Sequence, residues 1–223
     1  MADPDAHVTN PKGPYRRGTA AFDRVVFFSD AVFAIALTLV AVEIGIPVVT
    51  GDGSDEELWN ALLDKLPALV AFAFTFFWVA FYWRANHVFT ARLKEMSGGY
   101  VAAVLLYLAF IALLPFPAAT LGEYYNAVAL SFFLVFMAIV STLEVVLLLV
   151  ADRDGLLEVP LTAGQRRYEV MGSLTPVAAA VIAIPIVFVS VPLGAVAFVG
   201  ISLALGALLG RRAPGPASAT NPS

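Results

Sequence analysis

Apolar residues run along most of this chain in six long blocks with short polar punctuation, at about 22–46, 67–92, 99–121, 126–150, 168–190 and 192–210. Each block is close to the roughly 17–25 residues a helix needs to cross the hydrocarbon of a bilayer. The pattern therefore predicts an all-α integral membrane protein with six transmembrane helices. The punctuation agrees. Pro47 and the acidic stretch from Thr50 to Glu57 stop the first block, with a short amphipathic turn expected around 58–66. Gly98 and Gly99 precede the third block, and Pro115 and Pro117 bend or end it. Asp152, Arg153 and Asp154 close the fourth block, the fifth carries Pro176 and Pro185, and Gly210, Arg211 and Arg212 stop the sixth.

The first block departs from a plain anchor. Arg24, Ser29 and Asp30 sit in its first third, and a charged side chain at the centre of a spanning helix costs about 2.5–3.5 kcal/mol on insertion scales. Further along, Ile35, Thr38, Leu39 and Val42 recur at helical spacing and share one face, an apolar stripe broken by a single hydroxyl. Periodicity alone leaves open whether that face meets ions, lipid or a neighbouring helix.

The domain organisation follows. Residues 1–21 and 211–223 are polar and rich in Pro and Gly, and are expected to be disordered cytoplasmic tails around one transmembrane domain at 22–210. The first block is too long for a signal-peptide core and has no clear small-residue cleavage site, so it is read as a retained helix. Composition supports the class: 60% of the 223 residues are hydrophobic and 13% charged, against about 45–50% and about 25% in soluble domains. The net charge of -4 gives no basic footprint for nucleic acid. Its distribution says more. Lys12, Arg16, Arg17 and Arg24, then Arg84, Arg92 and Lys94, then Arg153, Arg166 and Arg167, and finally Arg211 and Arg212 fall on one side of a six-span topology. Lys65 stands alone among the cations on the other side, with Asp52, Asp55, Glu56, Glu57, Asp64 and Glu123. The positive-inside rule makes both termini cytoplasmic in a multi-pass protein of the cell membrane.

Catalytic chemistry has little to work with. There is no cysteine, the only histidines are His7 and His87, and no zinc-protease, nucleophile-elbow, phosphate-loop or dinucleotide motif occurs. The reading is therefore not an enzyme, with no cofactor. The segment from Gly122 to Tyr125 lacks the threonine–valine–glycine–tyrosine–glycine run and pore helix of a potassium filter, so no pore-loop filter is expected. No pair of broken helices is visible in matching halves, which argues against a secondary transporter.

Arg24, followed after three residues by Phe28, Ser29 and Asp30 and then by AVFAIALTLVAVEI, resembles the signature of the prokaryotic transmembrane protein 175 family. These are potassium channels related to the lysosomal potassium channel of animals. The resemblance implies a homotetramer in the lipid bilayer, with the first helix of each subunit lining a central pore. It implies that Ile35 forms the main constriction, that Thr38 contributes a hydroxyl layer favouring potassium, and that Leu39 and Val42 continue the lining. Val42 is smaller than the leucine common near that position. No metal is implied beyond the permeating potassium. A proton-conducting or non-selective cation pore, a secondary transporter and a non-conducting scaffold are the alternative readings.

The charges near the start of the first helix have a separate reading. Arg24 and Asp30, six apart, lie on different faces and cannot form an i, i+4 pair. The second helix runs antiparallel, and counting inward from Arg92 lands near Asn86 and His87. A structural polar network of Arg24, Phe28, Ser29, Asp30, Asn86 and His87, with Trp83 nearby, is expected to fix the first helix to its own subunit. Glu144, midway in the fourth block, is expected to serve helix packing, and Glu43 lies near the outer end of the first helix.

Overall fold

The computed structural model describes residues 15–211, and the elements there are nearly all helical. After a two-residue strand β1 (Tyr15–Arg16) come α1 (Ala20–Val42), α2 (Asp55–Leu63), α3 (Leu66–Thr90) and a second short strand β2 (Glu95–Met96). Then follow α4 (Gly98–Leu113), α5 (Pro115–Tyr124), α6 (Ala127–Arg153), α7 (Ala163–Ser173), α8 (Thr175–Val187) and α9 (Val191–Gly210). Taking α4 with α5 and α7 with α8, six helical stretches are long and apolar enough to cross a membrane.

Helix starts are set by side chains that accept the otherwise orphaned first-turn N–H groups. Thr19 does this for α1, Ser54 for α2, Ser97 for α4 and Asn126 for α6. Thr162 and Gln165 form a reciprocal capping box at α7. The helix ends explain where the expected boundaries shift. α1 stops at Val42 rather than 46, because Glu43 caps it and Gly45 takes a left-handed φ of 66° that turns the chain away. The fifth span begins at Ala163, earlier than expected, because the capping box carries the helix into the polar loop.

Two spans are interrupted by proline. Pro115 removes the N–H that would bond the Ile111 carbonyl, and the Leu114 N–H takes it instead at 3.2 Å. Pro176 does the same to the Gly172 carbonyl, which accepts the Thr175 hydroxyl at 2.9 Å. Within a bilayer such freed carbonyls must find protein donors, and here they do. The interruptions fall in the third and fifth spans, which are not corresponding positions of two halves.

α1 packs against α3, α4 and α5, while α6 packs against α4 and α5 and also against α8. α8 and α9 form a tight hairpin at Gly194, where an added Cβ would lie 2.8 Å from the Val187 Cα. Aromatic contacts tie the layers together: Phe198 of α9 meets Trp78 of α3 at 5.1 Å between ring centroids, and Phe74 meets Phe133 of α6 at 5.4 Å. Between spanning helices this packing stabilises through dispersion and fit rather than water expulsion, since lipid tails are as apolar as the core.

The tail expected at 1–21 is corrected in part. Its residues 1–14 lie outside the described residues, but Tyr15 and Arg16 pair antiparallel with Met96 and Glu95, and Thr19 caps α1. The reason is tertiary. The turn after α3 offers free backbone groups, and the chain entering α1 satisfies them, with Arg17 N–H donating to the Lys94 carbonyl at 2.9 Å. The loop after α6 joins the same clasp through Lys94 N–H to the Leu156 carbonyl and Glu158 N–H to the Arg92 carbonyl, each at 2.9 Å. The tail expected at 211–223 lies outside the described residues from 212 onward.

Candidate functional site on the first helix

α1 presents two opposite faces. Ser29, Phe33, Ala36 and Val40 are buried against the rest of the subunit, with Phe33 on the Tyr107 ring at 6.0 Å. Ile35, Thr38, Leu39 and Val42 are all exposed, Ile35 at 57% and Val42 at 71%. At about 100° per residue the centres of the two sets point well over a right angle apart, so packing one set against α3, α4 and α5 leaves the other exposed among the described residues. The Thr38 hydroxyl donates to the Ile35 carbonyl at 2.9 Å, which leaves the hydroxyl oxygen's lone pairs unengaged by any described donor.

The polar residues near the start of α1 divide into two groups. Trp83 of α3 donates its indole N–H to the Asp30 carboxylate at 2.9 Å, and the His87 ring stacks on Trp83 at 5.5 Å with a 30° interplanar angle. Asn86, His87 and Asp30 line one cavity of about 250 Å³, together with Arg17 and Thr90. Arg24 and Phe28 belong elsewhere. They line a separate cavity with Val101, Val104 and Leu105 of α4, and no ion pair of Arg24 is present among the described residues. The six-residue spacing puts Arg24 and Asp30 on different faces, so helix geometry separates them. Ser29 is buried, but its hydroxyl donates to the Val25 carbonyl of its own helix at 2.9 Å and reaches no neighbour.

A second polar chain lies deeper in the bundle and was only half visible in the sequence. The Tyr82 hydroxyl is 2.6 Å from the Ser141 hydroxyl and donates to the Met137 carbonyl at 3.2 Å, and Tyr107 donates to Glu144 at 3.4 Å. Glu144 stands out in an apolar block; its tyrosine partner on α4 does not, because no spacing rule links residues 37 positions apart. At the opposite end of the bundle, Glu43, Asp64, Lys65 and Glu123 line a polar cavity of about 340 Å³. Among the described residues no three His, Cys, Asp or Glu side chains come together to hold a metal.

The fold and this divided first helix define a six-span membrane protein of a known architecture. It aligns with the crystal structure of a lysosomal potassium-selective channel TMEM175 homolog from Chamaesiphon minutus, with a TM-score of 0.67 and 24% identity over 87% of this chain and 98% of that one. Residues 24–115 match the family described as endosomal/lysosomal potassium channel TMEM175, so the resemblance seen at Arg24 and Phe28–Asp30 extends through the second span and into the third. Similar curated proteins are a potassium channel of Streptomyces collinus, 35% identical over 101 residues, and one of Chryseobacterium, 31% identical over 99. A potassium channel of Chamaesiphon minutus is 33% identical over 104 residues. The matches cover 44–45% of this chain, which spans about half the length of these curated relatives, 48–49%.

Proposed function

We propose that this chain is the subunit of a potassium-preferring channel in which four copies bring their α1 helices together around a central pore. The observation that carries the reading is the exposed face of Ile35, Thr38, Leu39 and Val42, opposite the face that holds α1 in its own subunit. A ring of Ile35 side chains forms a neck too apolar to hold a hydrated ion, so it gates by dewetting. Thr38 lies one turn further along. With its proton turned inward to the Ile35 carbonyl, its oxygen offers lone pairs that partly replace lost water around a cation. The Asp30–Trp83 bond anchors the helix end below the neck to α3. The charge asymmetry of the loops supports cytoplasmic termini, with the acidic segment on the outer side.

The reading is tested by reconstituting the purified protein in liposomes with a potassium gradient. Potassium efflux above that of empty vesicles supports it; flux equal to empty vesicles overturns it. One observation favours a second reading, a proton or non-selective cation pore on the same architecture: the face carries a single hydroxyl, already engaged by a carbonyl. Reversal potentials in potassium, sodium and proton gradients separate the two.

A further inference from the structure

We propose that the cavity of about 420 Å³ between α3, α4, α6 and α7 binds an amphiphilic alkylammonium, its charged head on the Glu144 carboxylate and its chain along Phe81, Phe89 and Leu148. No residue of α1 lines this cavity, so the site is separate from the proposed pore and does not depend on conduction.

The recognition chemistry is uneven. Glu144 enters from α6, and among the described residues its one side-chain partner is the Tyr107 hydroxyl at 3.4 Å, at the long limit for an O–H···O bond. Among the described residues no cation lies within ion-pair distance of it. A carboxylate set among apolar walls is costly unless it takes up a proton or a cation meets it, and an ammonium head supplies the second. Of the two guanidinium groups on the lining, Arg92 is held by Glu169 at 3.0 Å, while Arg84 is exposed.

The walls select the kind of cation. Of the two carboxylates on the lining Glu169 is engaged by Arg92, so a bare metal ion would meet Glu144 with no cluster of three Asp, Glu, His or Cys among the described residues to replace its hydration. An alkylammonium loses less: the exposed ring of Phe81 offers cation–π contact, and Val88 and Leu148 take the hydrocarbon. An anionic amphiphile such as a fatty acid would meet the charge of Glu144 and would have only the exposed Arg84 to pair with, since Glu169 occupies Arg92.

The test is thermal unfolding of the purified chain in dodecyl maltoside with octylammonium, octanoate or octanol, in wild type, Glu144→Gln and Val88→Trp. Octylammonium is expected to raise the melting temperature of the wild type, with apparent affinity falling about tenfold or more in Glu144→Gln, as loss of a charged hydrogen-bond partner implies. Octanoate and octanol are expected to act alike on wild type and Glu144→Gln. An octylammonium response unchanged in Glu144→Gln overturns the site, and so does octanoate stabilising the wild type as much as octylammonium. If Glu144→Gln does not yield folded protein, Val88→Trp decides. It fills the cavity from the exposed side of α3, and a retained octylammonium response there overturns the proposal.

Discussion

The indole N–H of Trp83 on α3 meets the carboxylate of Asp30 on α1 at 2.9 Å, a charge-assisted bond that joins two spanning helices. Hydrogen bonds to charged groups contribute about 1.5–3 kcal/mol, enough to hold the helix end against thermal sliding. Trp83→Phe keeps the ring that stacks on His87 and removes only the donor. It is expected to lower the melting temperature of the detergent-solubilised protein by a few degrees, and Asp30→Ala to lower the yield of folded assembly on size exclusion. An unaltered melting temperature in Trp83→Phe would mean that the bond contributes nothing.

The face of α1 gives two separable electrical outcomes. Ile35→Asn wets the proposed neck and is expected to raise single-channel or liposome potassium flux several-fold. Thr38→Ala leaves the neck apolar and is expected to lower the potassium-to-sodium permeability ratio read from reversal potentials. Unchanged flux in the first variant moves the constriction elsewhere along the helix, and an unchanged ratio in the second removes Thr38 from selectivity.

Asp154, just beyond the end of α6, ties that end to the start of α4. The Arg153 guanidinium donates to it at 3.0 Å and the Ser97 hydroxyl at 2.9 Å, and these bonds hold its carboxyl below the ordinary aspartate value. A carboxyl whose folded-state pKa is depressed stabilises the fold fully above its unfolded value, near about 3.9, and loses that contribution as pH falls through the lower folded value. The melting temperature of the wild type is therefore expected to drop on acidification from about pH 4 downward. Asp154→Asn is expected to start lower at neutral pH and to show a shallower acid limb. Identical limbs in the two proteins would exclude this residue from the acid response.

Gly194 is the close-approach point of the α8–α9 hairpin. Alanine is favoured over glycine in a helix by about 0.8–1.0 kcal/mol. Here the added Cβ would lie 2.8 Å from the Val187 Cα and 2.9 Å from its N, backbone atoms that cannot swing aside. Overpacking of this kind costs about 1–3 kcal/mol, so the clash outweighs the propensity gain. Gly194→Ala is expected to lower the melting temperature, whereas Gly200→Ala, with open space around its Cβ, is expected to leave it level or slightly raised. A stabilised Gly194→Ala would mean that the hairpin opens without cost.

What could be read along the chain is what depends on short-range order. Six spans and the stripe from Ile35 to Val42 follow from hydropathy and helical period, because a bilayer forces every backbone group to be satisfied within its own helix. The resemblance at Arg24 and Phe28–Asp30 was legible for the same reason, those residues being contiguous in one helix. The companions of those residues were not. That Asp30 bonds Trp83 while Arg24 and Phe28 turn toward α4, that Ser29 spends its hydroxyl on Val25, and that Tyr107 reaches Glu144 depend on how neighbouring helices rotate about their axes. Between apolar helices in lipid that rotation is set by packing shape, to which composition is nearly indifferent. The clasp that orders Tyr15 to Thr19 is likewise tertiary, since its backbone partners come from loops far along the chain. The sequence thus determined a membrane bundle whose first helix carries an apolar stripe with one hydroxyl. Only the tertiary structure decided which side of that helix is anchored and which is left open, because burial is a property of the neighbours.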